Sequence, residues 1–215
     1  MTHRLVEPEI LDRLAWDDPE AVRARRDLRV INWIMGNERW IFRAVARQSQ
    51  AAGRGIVEWG AGDGSLAAKL AGRWPGAPVS ACDLAPRPVG LSSRVGWRQA
   101  DVLEEAPVAE GGILVANLFL HHFDSDALGL LGASCLGFDT LVFCEPDRSR
   151  LALALSWLLW PWIGRVTRHD MPVSIRAGFS SGELPALLKL SNAGWQVEES
   201  STCCGARRII ARRVA

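Results

Sequence analysis

Short apolar runs alternate with segments of helical periodicity through the middle of the chain. The apolar runs predict strands at residues 55–59, 78–82, 95–99, 112–117 and 138–144. Between the first two runs, residues 65–73 have the apolar spacing of a helix. The run at 112–117 is unbroken, which is typical of a strand buried on both faces of a parallel sheet. The pattern predicts an α/β fold with a doubly wound sheet.

The C-terminal part of the chain changes the pattern. Residues 195–201 and 207–213 have the character of an antiparallel strand pair that turns near Gly205. With the five central strands, this pair predicts a seven-stranded Rossmann-like sheet that has an antiparallel C-terminal strand.

Residues 1–50 are predicted to be helical. Asp18 is expected to cap a helix whose first residue is Pro19, where the missing N–H of proline does no harm. Gly36 and Asn37 are expected to break the apolar spacing into two helices. We therefore divide the chain into a helical N-terminal extension or lid at 1–50 and one structural unit at 51–215.

Aromatic and strongly apolar segments precede and follow the five central strands in the sequence. Trp33, Trp40 and Phe42 indicate helix packing or, alternatively, a lid over a hydrophobic substrate. Residues 151–163 are the most hydrophobic part of the chain and too short to span a bilayer. They predict a buried helix, with the wall of a lipophilic pocket or a dimer surface as alternatives.

The segments that follow are more polar. Residues 165–170 are predicted to be irregular. Ser180 and Glu183 have the spacing of a capping box, which predicts a helix that continues to residue 190.

Composition narrows the class of protein. The 215 residues carry a net charge of +1, with basic and acidic residues mixed, which argues against a dedicated nucleic-acid or membrane-surface protein. The N-terminal residues lack the apolar core of a signal peptide, so a cytoplasmic location is the expectation. Five cysteines without CxxC spacing indicate neither a disulfide framework nor a metal site.

Polar residues stand where the predicted strands end. They are Glu58, Asp83, Asp101 and Asn117. Ligands of open α/β sheets bind at this carboxyl edge. The glycines that follow Glu58 let the backbone approach a ligand closely. The carboxylate of Glu58 would repel a pyrophosphate and attract a cationic or amine-bearing group.

Each of the other strand ends suits one part of a nucleoside ligand. Asp83 lies about 20 residues after the glycines, the spacing of a carboxylate that hydrogen-bonds a ribose diol. Asp101 and Val102 could offer a carboxylate and a backbone N–H to an adenine edge. Asn117 would face an amino acid moiety of the ligand.

These motifs together resemble the class I S-adenosylmethionine-dependent methyltransferases. Residues 58–64 resemble the acidic, glycine-rich motif that lies against the methionine part of the cofactor in that family. The resemblance implies S-adenosylmethionine as cofactor, bound by Glu58, Trp59, Gly60, Ala61, Gly62, Gly64, Asp83, Leu84, Asp101, Val102, Asn117 and Leu118. Trp59 departs from the family pattern, which has a small or β-branched residue at this position.

The residues after the fourth strand carry a second resemblance. Residues 117–123 are similar to the motif found there in small-molecule methyltransferases of the ubiquinone-biosynthesis type. The back of the chain resembles a bacterial branch of such enzymes that accompanies polyketide or aromatic-lipid pathways, which implies secondary metabolism. The implied activity is methyl transfer to a small hydrophobic acceptor, phenolic or polyketide-like, at oxygen.

Only four histidines are available as general bases. His121 and His122 follow the fourth strand and are the preferred candidates, with His169 as the other. Asp170 could orient His169, although adjacent side chains seldom form a productive hydrogen bond. Glu145 is expected to anchor the turn before Pro146 rather than to act in chemistry.

Three alternatives stay open from the residues. The first is C-methylation of an activated aromatic ring. The second is an NAD(P)-dependent oxidoreductase, against which Glu58 and the absence of any tyrosine argue. The third is a non-catalytic nucleoside-binding protein. The expected partner is a small-molecule acceptor, with no nucleic acid and no membrane span, and a homodimer is left open.

Overall fold

A seven-stranded sheet forms the centre of the molecule. The structure, a computed structural model, describes residues 3–105, 111–192 and 194–214. The strands are β1 (Ile56–Trp59), β2 (Val79–Asp83), β3 (Val95–Gln99), β4 (Ile113–Asn117), β5 (Thr140–Pro146), β6 (Trp195–Ser201) and β7 (Ala206–Arg213).

The strand order confirms the predicted doubly wound fold. It runs β3-β2-β1-β4-β5-β7-β6. β1 to β5 pair in parallel, whereas β7 is antiparallel to both β5 and β6. The chain moves outward from β1 through β3 and then returns to place β4 on the other side of β1. The carboxyl ends of β1 and β4 therefore meet at the topological switch point, where open α/β sheets bind ligands.

Helices flank the sheet and precede it. They are α1 (Pro19–Met35), α2 (Asn37–Ala46), α3 (Ser49–Arg54), α4 (Ser65–Arg73), α5 (Ser125–Cys135), α6 (Arg150–Leu158), α7 (Arg165–Ala177) and α8 (Glu183–Leu187). The predicted start of α1 is confirmed, because the Asp18 side chain accepts a hydrogen bond from the Glu20 N–H. Gly36 ends α1 in the left-handed region, at φ 68°, as the break in the apolar spacing predicted.

The core has two layers, one on each face of the sheet. On one face, Trp59, Leu114 and Phe143 pack with α5 and α8. On the other face, the apolar residues of α2, α3 and α4 pack against the sheet, among them Ile41 and Ile113. α2 and α3 are thus part of the core, and α3 crosses the predicted boundary at residues 50 and 51. The lid role of the N-terminal extension stays a prediction.

The most hydrophobic segment is not the buried helix that the sequence predicted. α6 buries only Ala152 and Ser156, and Leu151, Trp157 and Leu158 are exposed. One side of α6 packs against α7, and the side chains of Leu151, Trp157 and Leu158 are left in solvent. None of the described helices has the length and apolar character needed to cross a membrane.

Two further predictions about the back of the chain are wrong. Residues 165–170 are the first half of α7, because Thr167 and Asp170 are buried and hydrogen-bonded to distant parts of the chain. The predicted helix from Glu183 to residue 190 is shorter and ends at Leu187. Lys189 stops it by adopting a left-handed conformation, at φ 56°.

Helix packing is observed for some of the N-terminal aromatic residues and not for others. Phe42 packs on Trp74, with ring centroids 6.1 Å apart. Trp33 is exposed and packs on no core cluster among the described residues.

Candidate functional site

The glycine turn after β1 lies at the switch point. Gly60, Gly62 and Gly64 all have positive φ values, between 54° and 69°. A Cβ at Gly60 would lie 2.0 Å from the Phe119 ring, so no other residue fits there without displacing the loop after β4. A Cβ at Gly62 would meet no atom within 4 Å, which leaves its backbone accessible to a ligand.

Asp83, at the end of β2, supports this turn. Its carboxylate accepts hydrogen bonds from the Gly62 N–H at 2.7 Å and from the Ala85 N–H at 2.9 Å. Leu84, the next residue, has 69% of its surface exposed although it is apolar. A negative group and an exposed apolar side chain therefore stand beside the open backbone of Gly62.

The two remaining strand-end features lie on the loop after β3. The Asp101 carboxylate accepts from the Leu103 N–H at 2.9 Å and is partly exposed. Val102 is buried in the same core cluster as Trp59.

Glu58 is a buried carboxyl group with an unused oxygen. Only 3% of the residue is exposed, and Oε2 has no hydrogen-bond partner among the described residues. Burial raises the pKa of Glu58 well above its usual range, opposed by a hydrogen bond with the Ala67 backbone. The Asn117 Oδ1 atom, at the end of β4, is also buried and unpartnered. Buried polar atoms of this kind are costly unless a ligand satisfies them.

Trp59 is fully buried, and its side chain does not line the ligand side of the turn. It packs edge-on against Phe138, with ring centroids 6.4 Å apart, in the core on one face of the sheet. Only the backbone of Trp59 is placed to contribute to the predicted cofactor site.

Glu145, at the end of β5, anchors the loop after β4. Its carboxylate accepts from the backbone N–H groups of Phe119, Leu120 and His121, at 3.1, 2.8 and 3.3 Å. These bonds hold the loop where Leu118 takes a left-handed conformation, at φ 55°. The expectation that Glu145 anchors the turn before Pro146 is therefore wrong, because its side-chain partners lie in the loop after β4.

His121 lies between two carboxylates. Its Nδ1 is 2.8 Å from Oε2 of Glu145, and its Nε2 is 3.5 Å from Oε1 of Glu9. Burial alone would lower the pKa of His121, but the hydrogen bonds and charges of Glu145 and Glu9 outweigh it and raise the pKa to about 9. The ring is therefore cationic at neutral pH in this arrangement.

Glu9 belongs to the N-terminal segment that covers the loop. Burial would raise its pKa, but the contact with His121 lowers it overall. The Ser174 hydroxyl of α7 donates to Glu9, and the Arg4 guanidinium donates to the His121 carbonyl at 2.8 Å. Sequence reasoning missed Glu9, because no local signal near residue 9 indicates a partner that lies after β4.

His122 is the more accessible neighbour of His121. The two rings have centroids 4.3 Å apart, and 30% of the His122 side chain is exposed. Its Nδ1 lies 3.5 Å from an Asp12 oxygen. Potential ligand atoms of Glu9, His121 and His122 lie within 4.8 Å of one another. Carboxylates already face both nitrogens of His121, and the absence of a metal site stays a prediction.

His169 stands outside this cluster. Its side chain is 52% exposed, and Nδ1 lies 2.9 Å from Asp170 Oδ1. The two adjacent side chains, a pairing that seldom forms a productive hydrogen bond, are within hydrogen-bond distance here. Asp170 mainly holds the N-terminal segment, however, since its two oxygens accept from the Ile10 and Leu11 N–H groups at 2.9 and 3.0 Å.

Solved structures with the same arrangement of strands and helices decide the fold family. The plantazolicin methyltransferase BpumL, in complex with a desmethylPZN analog and SAH, superposes with a TM-score of 0.69 at 10% identity over 92% of each chain. The magnesium protoporphyrin IX methyltransferase from Synechocystis PCC 6803, with bound SAH, gives 0.62 at 16% identity over 95% of this chain and 93% of that one. The chain has the fold of the class I S-adenosylmethionine-dependent methyltransferases.

Sequence comparison adds a shorter match. Trans-aconitate 2-methyltransferase of Mycolicibacterium gilvum (strain PYR-GCK) is 40% identical over 74 residues, which cover 32% of this chain and 28% of that protein. No family model matches the chain. The resemblance predicted from the sequence is confirmed in its fold, and the roles of individual site residues stay predictions.

The raised pKa of His121 predicts a pH-dependent stability. Protonated His121 contributes about 3 kcal/mol to the free energy of unfolding. This contribution is fully present below the unfolded-state pKa of 6.5 and is lost as the pH rises through the folded-state pKa of about 9. Urea denaturation of the wild type at pH 6 and pH 9.5 should show this loss. His121→Gln should remove most of the difference, whereas the control His169→Gln, at an exposed position, should keep it. An equal loss in His121→Gln would contradict the assignment.

Proposed function

We propose that the protein is an S-adenosylmethionine-dependent methyltransferase that methylates a small hydrophobic acceptor, such as a phenol, at oxygen. The observation that carries the proposal is Glu58, a buried carboxyl group with a free oxygen beside an open glycine turn at the switch point. A cationic ligand would return this group to its ionised form, whereas a pyrophosphate would be repelled by it. SAH and SAM in the fold neighbours support the cofactor.

The site residues fit the cofactor part by part. Glu58 and Asn117 offer unpartnered oxygens to its amino acid moiety. Asp83 offers a carboxylate to the ribose hydroxyls, and the exposed Leu84 an apolar surface to the base. Asp101 and Val102 complete the expected adenine side. When bound, the cofactor supplies an electrophilic methyl group on a sulfonium.

The protein's own chemical task is to position the acceptor and to take its proton. We assign the base to His121, because the hydrogen bond of its Nδ1 to Glu145 at 2.8 Å fixes the ring, and Nε2 becomes free for the acceptor when Glu9 leaves it. Glu145 is a positioning residue in this scheme. His122, whose Nδ1 is near the exposed Asp12, is the weaker candidate, and the exposed His169 is weaker still.

Glu9 occupies the place at Nε2 where the acceptor hydroxyl would bind. The N-terminal segment must therefore move, or Glu9 must exchange its contact with His121 for one with the acceptor. Because Glu9 helps to hold His121 in its cationic form, its departure lowers the pKa of the ring and makes it a base. The segment is then a lid whose movement away from His121 is coupled to the loss of the ring proton.

Three other functions are the alternatives to this proposal. The second candidate within the class, C-methylation, would use the same cofactor site and needs a base equally. An NAD(P)-dependent oxidoreductase would place a pyrophosphate against Glu58, and no tyrosine is present in the chain to act as a proton donor. A non-catalytic nucleoside-binding protein would not need the paired His121 and Glu145.

The cofactor assignment predicts proton release on binding. Burial has raised the pKa of Glu58, and binding of the SAH ammonium group should ionise it. The binding enthalpy measured by calorimetric titration should therefore change with the ionisation enthalpy of the buffer that takes up the proton. Glu58→Gln should weaken binding about 10- to 100-fold and abolish the release. The exposed control Glu105→Gln should change neither. NAD and NADP should not bind. Binding of NAD instead of SAH would refute the proposal.

The lid scheme predicts a shift in the pH profile of kcat/KM. With the most active member of a phenol panel, activity should rise with pH through the pKa of His121, about 9 in the free enzyme. Glu9→Gln removes one of the two carboxylates and should move this limb to lower pH. His121→Gln should lower kcat by about 10²- to 10⁴-fold.

The neighbouring exposed residue offers a matched control for this shift. Glu7→Gln removes the same charge two positions away and should leave the limb in place. A limb that stays unchanged in Glu9→Gln, or full activity in His121→Gln, would contradict the assignment of the base.

A further inference from the structure

Five apolar residues after β5 form an exposed surface that the proposed catalytic site does not use. They are Leu151, Trp157, Leu158, Trp160 and Trp162, and we call them the tryptophan surface. Trp157 is 63% exposed and Trp162 is 74% exposed. The rings of Trp157 and Trp160 stack with centroids 5.1 Å apart. Large apolar side chains grouped in this way mark an interaction site.

The tryptophan surface lies in a basic part of the molecule. Residues 148–169 include four arginines and neither aspartate nor glutamate. Arg150, Arg165 and Arg168 are exposed, and the Arg23 side chain of α1 reaches Gly164 in the turn before α7. The nearby acidic residue of α1, Asp27, accepts hydrogen bonds from the Gly164 N–H and the Thr167 hydroxyl. Basic and acidic residues are mixed along the chain as a whole, but residues 148–169 carry only basic ones.

This combination fits the surface of an anionic lipid bilayer. Tryptophan favours the membrane–water interface, where the ring is apolar on its faces and its N–H is wet. Arginines beside it are attracted to anionic headgroups. We propose that the tryptophan surface docks the protein on an anionic membrane, with Trp157 and Trp162 at the depth of the headgroups.

A second copy of this chain fits the surface less well. A two-fold contact would place the same patch on both partners. The cluster of Arg150, Arg165 and Arg168 would then lie against the same basic patch of the partner, and residues 148–169 offer no carboxylate to pair with it. Lipid phosphates supply the missing negative charge.

The location of the surface connects it with the proposed function. α7 contacts both α6 and the short helix at Leu120–His122 that carries His121, so a single helix connects the tryptophan surface with the site. If the methyltransferase proposal holds, a protein docked through the tryptophan surface could take up a hydrophobic acceptor that is dissolved in the membrane. The membrane is then the source of the acceptor, and the substrate class is a membrane-soluble phenol.

Vesicle co-sedimentation of the full chain tests the proposal. The protein should bind vesicles of phosphatidylglycerol and phosphatidylcholine more tightly than vesicles of phosphatidylcholine alone, and salt should weaken the binding. The double variant Trp157→Ser/Trp162→Ser should reduce the partition coefficient at least about tenfold. Arg150→Gln/Arg165→Gln should reduce it about fivefold for each arginine.

Matched controls distinguish binding through the tryptophan surface from nonspecific binding to vesicles. Trp33→Ser removes an equally exposed tryptophan from α1, and Arg43→Gln/Arg73→Gln removes two exposed arginines elsewhere. Both controls should bind as the wild type does. Failure of the wild type to bind anionic vesicles, or equal binding by all variants, would overturn the proposal. A dimer in light scattering that Trp157→Ser/Trp162→Ser dissociates, without vesicle binding, would also overturn it in favour of a second copy.

Titration with SAH distinguishes the two proposals. Binding of SAH without binding of vesicles would refute the membrane surface and leave the methyltransferase assignment intact. Binding of vesicles without binding of SAH would refute the methyltransferase assignment and leave the membrane surface intact.

Discussion

The buried carboxylate of Glu145 holds together the parts of the molecule that meet at the proposed acceptor site. It stands at the end of β5, accepts three backbone N–H groups from the loop after β4, and bonds the ring of His121. His121 in turn faces Glu9 of the N-terminal segment. Without this carboxylate, the left-handed Leu118 and the buried imidazole would both lack their support.

Two buried carboxyl groups with opposite surroundings define the site. Glu145 is fully satisfied by donors of the protein, so it is suited to positioning. Glu58 has a free oxygen and a pKa that burial raises, so it is suited to receiving a charged ligand. With this contrast, one edge of the sheet would combine the proposed cofactor site with the proposed acid–base site. In the proposed scheme, Glu9 links the movement of the N-terminal segment to the protonation of His121.

The sequence predicted those features that depend on local pattern. Strand periodicity, the Asp18 cap and the polar strand ends at Asp83 and Asn117 all follow from short-range rules, so the fold and the proposed cofactor edge were accessible. The contact between Glu9 and His121 was not, because it joins distant segments. α7 was missed for the same reason, since the buried Asp170 is satisfied by backbone groups of the N-terminal segment. The exposure of α6 depends on how little of it α7 covers.

The most direct test of the central claim is a crystal structure of the protein in complex with SAH. We predict that the ligand lies over Gly62, that its amino group is within hydrogen-bond distance of Glu58 or Asn117, and that its ribose hydroxyls contact Asp83. A ligand bound at another edge of the sheet, with the Glu58 Oε2 still unpartnered, would contradict it.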